Sequence, residues 1–158
     1  MEVLVVHGAG RWDAAGPGRT VGAALAARGL QVDVASVDGA PDPSTYDALV
    51  VVGLQHRERW DHHLRQVLRQ RAHALRTMPV WLVGVVPAGA RSTVRVTAPV
   101  SDLGRLGRRV RARGVVTLDL DRAGVRPPVA GVAPETAHDH LAGFAAAVAS
   151  ELDGLAAV

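Results

Sequence analysis

Three short apolar runs without a polar interruption constrain this chain more than any other feature. They lie at Val3-Leu4-Val5-Val6, Leu49-Val50-Val51-Val52 and Val80-Trp81-Leu82-Val83, and each is soon followed by glycine or proline. An uninterrupted run of this length suits a strand covered on both faces, as in a parallel sheet between two helical layers. Between the runs the pattern changes. Thr20 to Gly29 reads as a helix, with Thr20 near its start and Gly29 as a C-terminal stop. Leu30 to Val37 alternates apolar and polar residues, as a strand near a sheet edge does. The two prolines of Pro41-Asp42-Pro43-Ser44 make a turn. His62 to Arg76 sets Leu64, Val67, Leu68, Ala72 and Leu75 on one helical face. Ser101 to Gly114 reads as an Arg-rich helix, Val115 to Leu120 as a strand, and Pro134-Glu135 as the opening of a last helix running to about Leu152.

Strands that alternate with helices predict an α/β fold with right-handed crossovers. The expectation is a five-stranded parallel, doubly wound sheet with helices on both faces. The three apolar strands should be central, and residues 1–158 should form one domain.

Apolar residues make up 48% of the chain, enough for a core of this kind. All 18 basic residues are arginine, and lysine, asparagine, isoleucine and cysteine are absent. This is the codon bias of a GC-rich genome, so arginine abundance is not in itself a functional signal. Without cysteine there is no disulfide framework, thiol chemistry or Cys-based metal site. No signal peptide is expected, because a strand-like run starts at Glu2, and no apolar run approaches the length of about 20 residues that spans a bilayer. A cytoplasmic protein is expected, with peripheral membrane contact and a homodimer left open.

In open α/β sheets, ligands bind beyond the carboxyl ends of the strands, where the winding reverses. That rule selects the segments 7–20, 53–61 and 87–99, and more weakly 121–133. The first is rich in glycine. Its backbone amides, the helix N-terminus behind it, and Arg19 and Thr20 suit a phosphate. The other reading is a long connection whose glycines serve turns, since neither a complete dinucleotide fingerprint nor a Walker sequence is present. In the second segment Trp60 either stacks on a flat ligand ring or packs beneath the loop at the start of the next helix.

Other chemistries find less support. His62-His63 and His138-Asp139-His140 place neighbouring imidazoles on different sides of a helix, so they read as solvated surface. No Gly-x-Ser-x-Gly elbow exists, and Ser92 is a poor nucleophile candidate. Arg105, Arg108, Arg109, Arg111 and Arg113 read as a solvated helix face, because the net charge is only +3 and no aromatic residues interleave for base stacking. Nucleic acid is therefore not an expected partner. His7 and His56 stand at the carboxyl ends of predicted strands, where a general base would be placed.

The opening Met1–His7, the stretch Thr20–Val34 and the strand Tyr46–Gly53 resemble flavodoxin domains, at the level of pattern and over nearly the whole chain. The segment Trp60 to Pro87 resembles the actinobacterial flavodoxin-domain branch related to menaquinone-dependent protoporphyrinogen oxidases. The resemblance implies a flavodoxin-like three-layer sandwich and an FMN site. Gly8, Ala9, Gly10, Gly18, Arg19 and Thr20 would cradle the phosphate, and Gln55, His56, Trp60, Pro87, Ala88 and Gly89 would bracket the flavin ring. Electron transfer with a redox partner, or a small flavin-dependent oxidoreductase acting on a small molecule, is the implied function. The phosphate loop diverges, being longer than the family's and lacking a hydroxyl directly after the first strand. A cofactor-free relative that binds another ligand or partner, or a non-redox enzyme of a specialised pathway, is the alternative.

Overall fold

The computed structural model describes residues 1–56, 59–86, 101–118 and 135–157. In chain order the elements are β1 (Glu2–His7), α1 (Ala15–Ala26), β2 (Gln31–Ser36), β3 (Ala48–His56), β4 (Arg59–Trp60), α2 (His62–Gln70), α3 (Ala72–Leu75), β5 (Val80–Val85), α4 (Ser101–Val110), β6 (Gly114–Leu118) and α5 (Glu135–Ala156). Five strands form a parallel sheet in the order β2-β1-β3-β5-β6, and the two-residue β4 pairs antiparallel with β3 as a sixth. The alternating strand β2 lies at an edge, and the three uninterrupted apolar strands β1, β3 and β5 lie together in the centre.

Side-chain alternation divides the core into two. Val3, Val5, Val50, Val52 and Val83 face α1 and α5, packing with Val21, Leu25, Phe144 and Val148. Leu4, Val6, Leu49, Val51 and Leu82 face the other layer, with Leu64 and Leu68 of α2, Leu75 of α3 and Leu103 and Leu106 of α4. Because both faces are covered, each central strand needs apolar residues at every position, and that is why its sequence shows no alternation.

Three boundaries differ from the sequence expectation. Helix α1 begins at Ala15 instead of Thr20. Pro17 is only its third residue, where the missing N–H has no intrahelical partner to lose. The helix expected over 62–76 breaks at Arg71, whose φ of −102° and ψ of 7° interrupt the α2–α3 path. Helix α4 ends at Val110, so Arg111 and Arg113 lie beyond it and are not part of a helix face. No helix among the described residues is long and apolar enough to cross a membrane.

Candidate functional site

The chain leaves β1 toward β2 on one side and β3 on the other, so the winding reverses at the carboxyl ends of β1 and β3. His7 pairs with Val52 there, and Gly53 with Gly84. Beyond this edge the segment 8–14 folds back on itself. Gly8 N–H donates to the Val52 carbonyl (3.1 Å), Asp13 N–H to Gly10 (3.2 Å) and Ala14 N–H to Gly8 (3.0 Å). Ala15 N–H, in the first turn of α1, donates to Asp13 Oδ1 at 2.9 Å. A carboxylate thus already occupies one of the amides that a phosphate would seek at this helix end.

The expected phosphate residues separate into two groups. Ala9 and Gly10 stay at the tip, and with Arg11 they present backbone N–H groups that have no partner among the described residues. Gly10 has a φ of 68°, and Arg11 and Arg19 are exposed. Gly18 and Thr20 are helical instead. Gly18 lies over the His7 ring, so that a Cβ there would stand 3.0 Å from His7 Cβ. Thr20 donates its hydroxyl to the Gly16 carbonyl at 3.1 Å along the flank of α1. The extra helical turn takes both away from the helix start. The amides at the tip fit an anion, whereas Thr20 lies a turn further along α1 with its hydroxyl on the Gly16 carbonyl.

On the β3 side, Trp60 is 1% exposed. Its indole N–H donates to the carbonyls of Gly53 and Val83, both at 3.1 Å. A Cβ on Gly53 would meet the ring at 2.6 Å and Leu64 at 2.8 Å, so glycine is what lets the indole lie flat on the strand. Trp60 therefore packs beneath the loop, with its indole N–H satisfied by strand carbonyls. The short β4 strand makes this so, because its pairing with β3 turns Trp60 inward instead of starting the helix with it.

Gln55 is also internal. Its Oε1 accepts the Thr117 hydroxyl at 3.2 Å, and it passes over Gly84, where a Cβ would stand 2.6 Å from that oxygen. This side chain ties β3 to β6 across β5. His56 ends β3 and pairs in register with Arg59. Pro87, Ala88 and Gly89, with Ser92 and the segment 121–133, lie outside the described residues.

His7 is 9% exposed, and its Nδ1 donates to the Gly8 carbonyl at 2.8 Å. Asp61, not singled out in the sequence, is buried and caps α2, its Oδ1 accepting Leu64 N–H at 3.1 Å. Burial holds its carboxyl above the ordinary carboxylate range, against the opposing pull of the Leu64 and His63 amides and the two histidines. An aspartate directly before an apolar-periodic segment was the available signal. His63 instead reaches Asp38 at 3.4 Å on the surface, and no cluster of three metal-ligating side chains occurs among the described residues.

The fold is flavodoxin-like. A mutant of flavodoxin from Pseudomonas aeruginosa superposes with a TM-score of 0.59 at 24% identity, covering 93% of this chain and 98% of that one. A flavodoxin from the domain Archaea gives 0.63 at 10% identity, with 97% and 99% covered. A flavone reductase gives 0.59 at 8% identity, with 98% of this chain lying on 64% of that protein. No protein-family model matches the chain, and no curated protein matches it significantly.

Proposed function

We propose that this chain is an FMN-binding flavodoxin-like protein, acting in electron transfer or as a small flavin-dependent oxidoreductase. The observation that carries the reading is the β2-β1-β3-β5-β6 sheet, whose winding reverses at the carboxyl ends of β1 and β3. The solved structures of this shape named above include two flavodoxins. The amides of Ala9, Gly10 and Arg11 would hold the phosphate, with the guanidinium groups of Arg11 and Arg19 nearby. A bound flavin supplies the redox chemistry, and the protein supplies binding and field. The partner would be a redox protein or a small molecule. The pattern of residues 60–87 and the arginine-only composition favour an origin in the actinobacterial flavodoxin-domain branch, and a cytoplasmic site of action accords with that role.

Two observations favour the second reading, a cofactor-free relative that binds another ligand or partner. The Asp13 carboxylate sits at the α1 terminus, and the segment from Gly8 to Arg19 contains no hydroxyl side chain. Titration of the apo-protein with FMN, read by quenching of flavin fluorescence, decides between them. Saturable quenching at one flavin per chain is expected, and Asp13→Asn, which keeps the acceptor and removes the charge, should tighten it. No quenching in either protein would overturn the FMN reading.

A further inference from the structure

The amino ends of the strands form the opposite edge of the sheet, and a cavity of about 810 Å³ opens there. This lies within the range of roughly 300–1,000 Å³ seen for small-molecule sites. Arg76 follows α3, Arg111 follows α4 and Arg113 precedes β6, so separate connections bring arginines to one hollow. Arg76 is anchored by its Nε–H, which donates to the Arg109 carbonyl at 3.0 Å. None of the three is ion-paired with a carboxylate among the described residues. Asp47 also lines the cavity, and its Oδ2 accepts the backbone N–H of Glu2 at 2.8 Å.

Beside these charges the lining is apolar except for Thr77, whose hydroxyl donates to the Ala74 carbonyl at 2.7 Å. Met1 and Leu155, 40% and 39% exposed, are two of the three large apolar side chains left exposed among the described residues, and both line this cavity. A third observation is independent of both. Arg111 has a φ of 55°. Ala112 N–H donates to the Gly107 carbonyl at 2.8 Å and Arg111 N–H to Arg108 at 3.3 Å, which closes α4 as a Schellman motif with Arg111 in the left-handed position. Glycine ordinarily fills that position, because a Cβ there is crowded. Helix α1 is followed by Gly29 at φ 87°. In a chain with 17 glycines, an arginine at the α4 position keeps a charge where the backbone favours none.

Helices α3, α4 and α5 all end at this edge, and cations there offset the partial negative charge of their last carbonyls. That accounts for positive charge. It does not account for exposed apolar side chains beside it or for strain at one of the arginines. We propose that the cavity binds a small amphipathic anion, its carboxylate or phosphate head on Arg111 and Arg113 and its short apolar tail against Met1 and Leu155. This inference is independent of the flavin reading.

Isothermal titration of the whole chain with decanoate below its micelle concentration tests it, with decanol and inorganic phosphate as half-ligand controls. Decanoate should bind saturably at one site, more tightly than either control. Arg111→Gly and Arg113→Ala should each weaken it by about tenfold, the scale of one lost hydrogen bond to a charged group. Arg111→Gly should at the same time raise Tm, so its loss of binding cannot come from unfolding. Sedimentation with phosphatidylglycerol vesicles, abolished by the same substitutions, would place the head on a lipid, and its absence beside decanoate binding would place it on a free ligand. The proposal is overturned by no saturable decanoate binding, by decanol binding as tightly, or by unchanged affinity in both variants.

Discussion

The two edges of the sheet treat their polar groups differently. At the carboxyl edge, several described polar groups satisfy the protein itself: Asp13 accepts the Ala15 N–H at the start of α1, Gln55 reaches Thr117, and the Trp60 indole lies on two strand carbonyls. At the amino edge, three arginines without carboxylate partners among the described residues share a hollow with two exposed apolar side chains, and one of them strains the backbone. Topology directs attention to the first edge, and side-chain accounting directs it to the second. Position in a fold and chemical readiness for a ligand are separate properties, and each needs its own test.

The largest test of the comparison is Trp60→Ala. Emptying a site filled by a buried indole should destabilise the protein by about 3–5 kcal/mol, measured by urea unfolding. A loss below about 1 kcal/mol would show that this edge is not a packed one.

Asp61 comes next. Asp61→Ala removes the α2 cap and should lower stability by about 1 kcal/mol. Asp61→Asn keeps an acceptor for Leu64 N–H and should be at least as stable as the parent at neutral pH. The sign follows from burial, which raises the folded carboxyl above its ordinary value of 3.8. The contribution to stability is full below that value and is lost as pH rises through the raised folded one. Unfolding free energies of parent and Asn variant should therefore converge at low pH and separate with rising pH, and a difference constant with pH would refute the assignment.

Arg111→Gly carries the opposite sign. Relief of the left-handed strain should stabilise the protein by roughly 0.5–1 kcal/mol, read as a raised Tm. Destabilisation would mean that the Arg111 side chain is held by contacts worth more than the strain. Thr20→Val should have the smallest effect, within about 0.5 kcal/mol. Its hydroxyl bonds only the flank of α1, so any FMN affinity should stay unchanged. A clear loss would return Thr20 to the site.

The layered fold was legible in the sequence because burial on both faces of a strand demands an unbroken apolar run, and Val3–Val6, Leu49–Val52 and Val80–Val83 state it directly. The edge position of β2 and the stop at Gly29 were legible for equally local reasons. The start of α1 was misread because glycine and proline mark loops on average, while a helix tolerates both in its first turn. Trp60 was ambiguous because only the pairing of β4 with β3 decides which way the indole turns.

The sequence by itself determined the order of strands and helices, since hydrophobic period and capping act over a few residues. It did not bring Arg76, Arg111 and Arg113 into one hollow, and it read the last two as a solvated helix face. Only the tertiary structure decided that. Residues distant in sequence meet at a sheet edge through crossover geometry, and no local pattern encodes where separate connections converge.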